Sequence, residues 1–206
     1  MTARRIDLVE GPGYREALRT WAAALKDGAV TAFATDTVWG IGALPSLPDA
    51  IERIYEIKGR DQNKAVACLV PGPEQAVRWT EEWPEPVLNL VRQHWPGALT
   101  IVAASRGEPF PAIQRGVPKL GFRMPDRRSV LDLLELIGEP LAATSANRSG
   151  QPELGDVEEV MAELGSQLDV VVSDGRPVNG RASTVVEWTG RRLQLLRAGA
   201  VPLPSS

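Results

Sequence analysis

The sequence predicts a single α/β domain: a mixed sheet flanked by helices. Apolar runs of strand length alternate with amphipathic stretches of helical spacing from one end of the chain to the other, the pattern of strand–helix–strand units. Near the C-terminus, Thr184 to Trp188 and Leu193 to Leu196 flank Thr189-Gly190 and read as a hairpin, which adds antiparallel pairing to the sheet. The 206 residues, 43% of them hydrophobic, suffice for one full core but not for two.

Element by element, Tyr14, Ala17, Leu18, Trp21, Ala22 and Leu25 recur at helical spacing and Gly28 ends the helix. Val30 to Ala34 is a short buried strand, followed by a turn region from Thr35 to Pro48. Asp49 to Lys58 is a helix with Ile51, Ile54, Tyr55 and Lys58 on one face, stopped by Gly59. Ala65 to Val70 is a strand that Pro71-Gly72-Pro73 ends. Val87 to His94 is helical, Leu99 to Ala104 a strand, and a loop rich in Gly and Pro follows. Lys119 to Arg123 is a strand closed by Met124-Pro125. Val130 to Ile137 is a helix ended by Gly138, Leu141 to Thr144 a strand, Val157 to Leu164 a helix ended by Gly165, and Val170 to Ser173 a strand. No repeat or linker interrupts residues 1–200, and residues 201–206 read as a loose tail.

Composition narrows the chemistry. A net charge of -3 argues against a surface built throughout for nucleic acid, while leaving room for a local basic cleft. One Cys excludes a disulfide framework and a Cys-based metal site, and Cys68 sits in an apolar run as a core residue. One His, His94, removes most arrangements that use a histidine base; its place at the end of a helical pattern suits a helix C-terminus. No stretch approaches the ~20 apolar residues of a membrane span, and Met1 to Glu10 lacks the apolar core of a signal peptide, so a cytoplasmic protein is expected.

Three segments hold candidate chemistry, and each has a plain structural alternative. Thr35-Asp36-Thr37-Val38-Trp39-Gly40-Ile41-Gly42-Ala43 leaves a buried strand with hydroxyls and a carboxylate, where open α/β sheets bind ligands. Gly40 and Gly42 would let a ligand approach the backbone; the alternative is a polar turn capped by its own Asp and Thr. Lys58-Gly59-Arg60-Asp61-Gln62-Asn63-Lys64 places three cations within seven residues at a helix end. They suit either a polyphosphate or the helix dipole. No G-x-x-x-x-G-K-[ST] occurs, so any ATP site must find its positive charge in a loop of this kind. Thr144-Ser145-Ala146-Asn147 leaves another strand, with Ser145 and Asn147 pointing the same way toward a phosphate or ribose, or forming an ordinary Ser or Asx turn. Lys119 and Arg123 share one strand face, suited to a carboxylate or phosphate or to edge protection. Ser183-Thr184 opens one hairpin strand and Arg197 closes the other, which brings the three together.

TDTVWGIGA, IYEIKGRDQNK, WPGALTIV, LGFRMPD, PLAATSANRSG and STVVE…LLRAGAV, in this order and spacing, resemble the YrdC-like family of threonylcarbamoyl-AMP synthases over about residues 10–200. The resemblance implies a twisted sheet with a large concave, positively lined cleft. It implies a reaction of L-threonine, bicarbonate and ATP that yields threonylcarbamoyl-adenylate and pyrophosphate, Mg²⁺ travelling with the ATP. The product would serve tRNA threonylcarbamoyladenosine formation through a downstream transferase complex. By resemblance, Arg60, Lys64, Ser145 and Arg197 hold ATP with Lys58, Lys119 and Asn147 close by. Thr37, Arg123 and Ser183 hold L-threonine, Arg123 on its carboxylate, with backbone atoms around Leu69 and Ala143. No covalent nucleophile is implied and no protein metal ligand can be named. Ala34, Trp39, Ala65 and Ala98 depart from the family pattern without removing a proposed charge; Trp39 bears on the shape of the threonine pocket. With no C-terminal domain of the longer synthases, gating is expected from the chain's own loops or tail. Two alternatives stand beside this: an RNA-binding module contacting tRNA or double-stranded RNA, and a relative that adenylates another carbamoyl compound. The second usually carries zinc-finger-like Cys pairs, absent here.

Overall fold

A computed structural model describes residues 2–59 and 66–203. Among them ten strands form one sheet: β1 (Arg4–Asp7), β2 (Thr31–Ala34), β3 (Trp39–Ala43), β4 (Ala67–Leu69), β5 (Leu99–Ala104), β6 (Lys119–Arg123), β7 (Leu141–Ser145), β8 (Val170–Ser173), β9 (Thr184–Trp188) and β10 (Leu193–Arg197). The order across the sheet is β1-β8-β2-β3-β7-β4-β6-β5-β9-β10. Parallel pairs (β1 with β8, β8 with β2, β4 with β6, β5 with β9) mix with antiparallel ones, and the β9–β10 hairpin closes one edge.

Helices cover both faces. α1 (Tyr14–Lys26) buries Leu18, Trp21, Ala22 and Leu25 beside α6 (Arg128–Ile137), which buries Val130, Leu133, Leu134 and Ile137; Phe33, Leu141 and Val172 meet them from the sheet. The Trp21 and Phe33 rings pack with centroids 5.4 Å apart and planes tilted by 48°, and the Trp21 indole donates to Thr31 Oγ1 at 3.1 Å. α2 (Pro48–Lys58), α4 (Glu85–His94) and α7 (Val157–Leu164) place Ile51, Ile54, Val87, Val91, Val160 and Leu164 in the second core cluster. The short helices α3 (Pro73–Val77) and α5 (Pro111–Gln114) each start on a proline, tolerated in a first turn because the missing N–H has no partner there. Cys68 is fully buried and burial pushes its thiol pKa up, as a core residue requires. His94 stands in the last turn of α4. No described helix is long and apolar enough to cross a membrane.

The expected turn region from Thr35 to Pro48 needs correction. Residues 35–38 and 44–47 do turn, but between them Trp39–Ala43 is strand β3, bonded to β2 on one side and β7 on the other. A Cβ on Gly42 would stand 2.7 Å from the Ala142 carbonyl oxygen and 3.1 Å from Phe33 Cε1, so this glycine is small to let two strands and an aromatic ring meet, not to admit a ligand. β1 was not foreseen. Its Arg-Arg-Ile-Asp has one apolar position, and it forms because β8 offers a parallel edge. Val201, expected in the loose tail, is tied down: the Thr184 hydroxyl donates to its carbonyl at 2.6 Å and accepts from its N–H at 3.1 Å.

Candidate functional site

A cleft of about 610 Å³ runs along the sheet between the β2–β3 turn, the end of α2, β6, the turn after β7 and the β9–β10 hairpin. Among its lining residues Lys58, Arg115, Lys119, Arg123 and Arg197 outnumber one carboxylate, Glu187. The cleft is therefore positively lined, with apolar walls that strengthen those charges.

At one end stands Arg123, the last residue of β6 and 6% exposed. Its Nε donates to the Gly97 carbonyl at 2.9 Å and Nη1 to Thr37 Oγ1 at 2.8 Å, while Nη2 pairs with the Asp36 carboxylate. Burial lowers its pKa, and Asp36 opposes that shift. Thr37 is held by the Thr35 side chain: Thr35 Oγ1 lies 3.0 Å from Thr37 Oγ1, accepts from Thr37 N–H and Val38 N–H at 3.2 Å each, and donates to Val38 O at 2.7 Å. Ser183, buried just before β9, lies 3.0 Å from Thr100 Oγ1. Arg197 reaches back across the hairpin to donate to the Ser183 carbonyl and hydroxyl at 2.9 and 3.0 Å. Thr37, Arg123, Ser183 and Arg197, four chain regions apart, thus share one wall. Leu69 pairs with Arg123 across β4 and β6, and Ala143 with Ala67 across β7 and β4; both line the cleft.

At the other end, α2 stops at Gly59, whose φ of 52° favours glycine. The Lys58 ammonium is 4% exposed as a residue and points to the turn after β7. It donates to the Ser145 carbonyl at 2.6 Å, to Asn147 Oδ1 at 2.8 Å and to the Asn147 carbonyl, while Ser145 Oγ donates to Asn147 Oδ1 at 2.6 Å. Lys58 therefore organises this turn as well as charging it. Glu153 sits near Arg197 and Lys58; burial raises its carboxyl pKa and the two cations pull it back. Lys119, at the opposite end of β6 from Arg123 and so about 13 Å away along the strand, pairs with Glu187. Arg60 and Lys64 lie outside the described residues.

Arg115 was missed by sequence reasoning. It follows α5 with φ 49°, stacks 4.1 Å over the Tyr55 ring and grips Glu52 with both carboxylate oxygens at 2.7 and 2.8 Å. Its location in a Gly- and Pro-rich loop hid it; an Arg before Gly116 was the only signal. Among the described residues no group of three or more His, Cys, Asp or Glu is arranged to hold a metal ion.

The family model Sua5/YciO/YrdC, described as "Telomere recombination", matches residues 23–199. The chain belongs to the Sua5/YciO/YrdC family. Within it, the chain is 34% identical over 181 residues to the threonylcarbamoyl-AMP synthase of Bacillus subtilis (strain 168), covering 87% of this chain and 52% of that relative. Its fold superposes on P. abyssi Sua5 complexed with L-threonine with a TM-score of 0.89 at 32% identity, over 97% of this chain and 58% of the other. On E. coli YciO the TM-score is 0.86 at 21% identity, over 96% of each chain, a likeness of fold alone. The chain spans little more than half the length of the B. subtilis and P. abyssi relatives. The shared fold is one mixed sheet with helices on both faces.

Proposed function

We propose that this chain is an L-threonylcarbamoyladenylate synthase, a nucleotidyltransferase that uses L-threonine, bicarbonate and ATP. The observation that carries this reading is the continuity of one cleft from Thr37 and Arg123 to the Lys58–Ser145–Asn147 cluster. Such a cleft offers a carboxylate site and a phosphate site within one substrate length. Relatives named threonylcarbamoyl-AMP synthase, and a relative's structure complexed with L-threonine, support it.

In this reading Arg123 takes the threonine carboxylate while Thr37 and Ser183 face its polar atoms. The amine nitrogen bonds to the bicarbonate carbon with loss of water, and a carbamate oxygen then bonds to the α-phosphorus as the α–β phosphoanhydride P–O bond breaks. Pyrophosphate leaves. Ser145 and Asn147 hold phosphates, joined by Arg60, Lys64, Lys119 and Arg197; Mg²⁺ would accompany the nucleotide and supply neutralisation of its phosphate charge. Catalysis then rests on positioning and on cations placed where charge develops, with no covalent intermediate. The product, a mixed anhydride, passes to a tRNA threonylcarbamoyl-transferase system in the cytoplasm.

The test is incubation of the protein with ATP, Mg²⁺, labelled bicarbonate and L-threonine. Threonine-dependent pyrophosphate release and a labelled threonylcarbamoyl adduct are expected; absence of both overturns the proposal. Arg123→Ala should chiefly weaken threonine binding, and Arg60→Ala and Lys64→Ala chiefly ATP binding.

A further inference from the structure

Three successive carbonyls, those of Thr35, Asp36 and Thr37, are bonded from outside the cleft by a single neighbouring feature. Asn179 N–H donates to Asp36 O at 3.3 Å, Gly180 N–H to Thr37 O at 2.7 Å, and Arg127 Nη1 to Thr35 O at 3.4 Å. The segment carrying Asn179 and Gly180 is itself held by Arg127, which donates to the carbonyls of Arg176 at 2.7 Å and Pro177 at 2.9 Å. Arg127 is 5% exposed and does not line the cleft. Its charge is matched by Asp174, through Nε at 2.8 Å and through Nη2, and Ser129 Oγ donates to the same carboxylate at 2.8 Å. Bidentate pairing leaves the guanidinium in one orientation, with its N–H groups also aimed at the carbonyls of Thr35, Arg176 and Pro177.

We propose that Arg127 is a positioning residue for the amino-acid end of the cleft, clasping the Thr35–Thr37 turn to residues 174–180 and so setting where the Thr37 hydroxyl meets Arg123. A buried Arg that served only stability would need no partners on two separate loops that converge on one side chain. Here five of its described bonds do so, and the turn it braces supplies Thr37 Oγ1, which Arg123 Nη1 reaches at 2.8 Å. A displaced Thr37 leaves Arg123 with only Asp36 and the Gly97 carbonyl, and the carboxylate site loses its shape. The Lys58–Ser145–Asn147 cluster is bonded within itself at the other end of the cleft, so nucleotide binding should not follow.

The inference rests on the reading of this end as the L-threonine site, and the experiment separates the two. Wild type, Arg127→Lys, Arg127→Gln and Asp174→Asn are compared by calorimetry with L-threonine and with ATP, and by amide hydrogen exchange without ligand. For Arg127→Gln, exchange should rise at residues 37–38 and 179–180 relative to β8, threonine affinity should fall about tenfold or more, and ATP affinity should stay within about twofold. Arg127→Lys keeps the charge and part of the bonding and should fall between. Equal loss of both affinities in step with thermal stability, or unchanged exchange in these segments, overturns the clasp. Should Arg127→Gln not fold, Arg127→Lys and Asp174→Asn decide by the same criteria. If the wild type binds no threonine, the substrate reading fails, and the exchange measurement still judges the clasp.

Discussion

Replacing Gly42 with alanine puts a methyl group 2.7 Å from the Ala142 carbonyl oxygen and 3.1 Å from Phe33 Cε1, where 3.4–4 Å is ordinary contact. Neither neighbour can yield cheaply. Ala142 is fixed by ladders to β3 and β4, and Phe33 is 1% exposed and packed on Trp21. Overpacking of this kind costs about 2–3 kcal/mol when backbone must move. Alanine returns about 0.5–1 kcal/mol of backbone entropy relative to glycine in a strand, so the net loss is about 1–2.5 kcal/mol. Gly40, two residues along the same strand, is an internal control: its Cβ would lie 3.3 Å from Thr144 O and 3.7 Å from Phe33. There the two terms nearly cancel, and Gly40→Ala should change stability by less than about 0.5 kcal/mol. Urea unfolding of both variants, with the slope unchanged, gives the numbers. Equal losses at the two positions, or no loss for Gly42→Ala, would refute close β3–β7 packing as the reason for the glycine.

Lys58→Met removes charge-assisted bonds to Ser145 O and Asn147 Oδ1; at about 1.5–3 kcal/mol for such a bond, a stability loss of about 3 kcal/mol and weaker ATP binding are expected, checked by denaturation and calorimetry. Burial and the bond to Asp132 push the Tyr14 phenol up to about 12 from 10.0. The folded chain thus keeps a proton that the unfolded chain gives up, and stability should fall between pH 10 and about 12. Tyr14→Phe should remove that part of the fall in a pH series of unfolding midpoints. The Asp174 carboxyl is held below its ordinary 3.8 by Arg127 and Ser129 against an opposing effect of burial. Its contribution should be complete above that pH and lost as the pH drops further, a loss Asp174→Asn should not show.

Much of the fold was legible because its helices and inner strands repeat apolar residues at the right period. β5, β6 and β9 were read with their observed bounds, each ended by a turn residue or charge. β3 was not legible: Trp-Gly-Ile-Gly-Ala carries two glycines that locally read as loop, and it is a strand because β2 and β7 flank it. At the site, Thr37, Lys58, Arg123, Ser145, Ser183 and Arg197 were singled out as hydroxyls and cations at element ends, and all six line the cleft. Arg127 and Arg115 were not, since nothing local separates a buried bracing Arg from a surface one.

The chain order of its apolar runs alone determined an α/β domain, and its motifs alone determined the family. Those are local and periodic properties, written in neighbouring residues. Which polar side chains act together was decided only by the tertiary structure. Arg123 meets Asp36 and Thr37 across 87 and 86 positions, Lys58 meets Ser145 across 87, and Arg127 meets Asp174 across 47. Such pairings depend on how the sheet orders its strands, and the value of each depends on burial that no stretch of sequence specifies by itself.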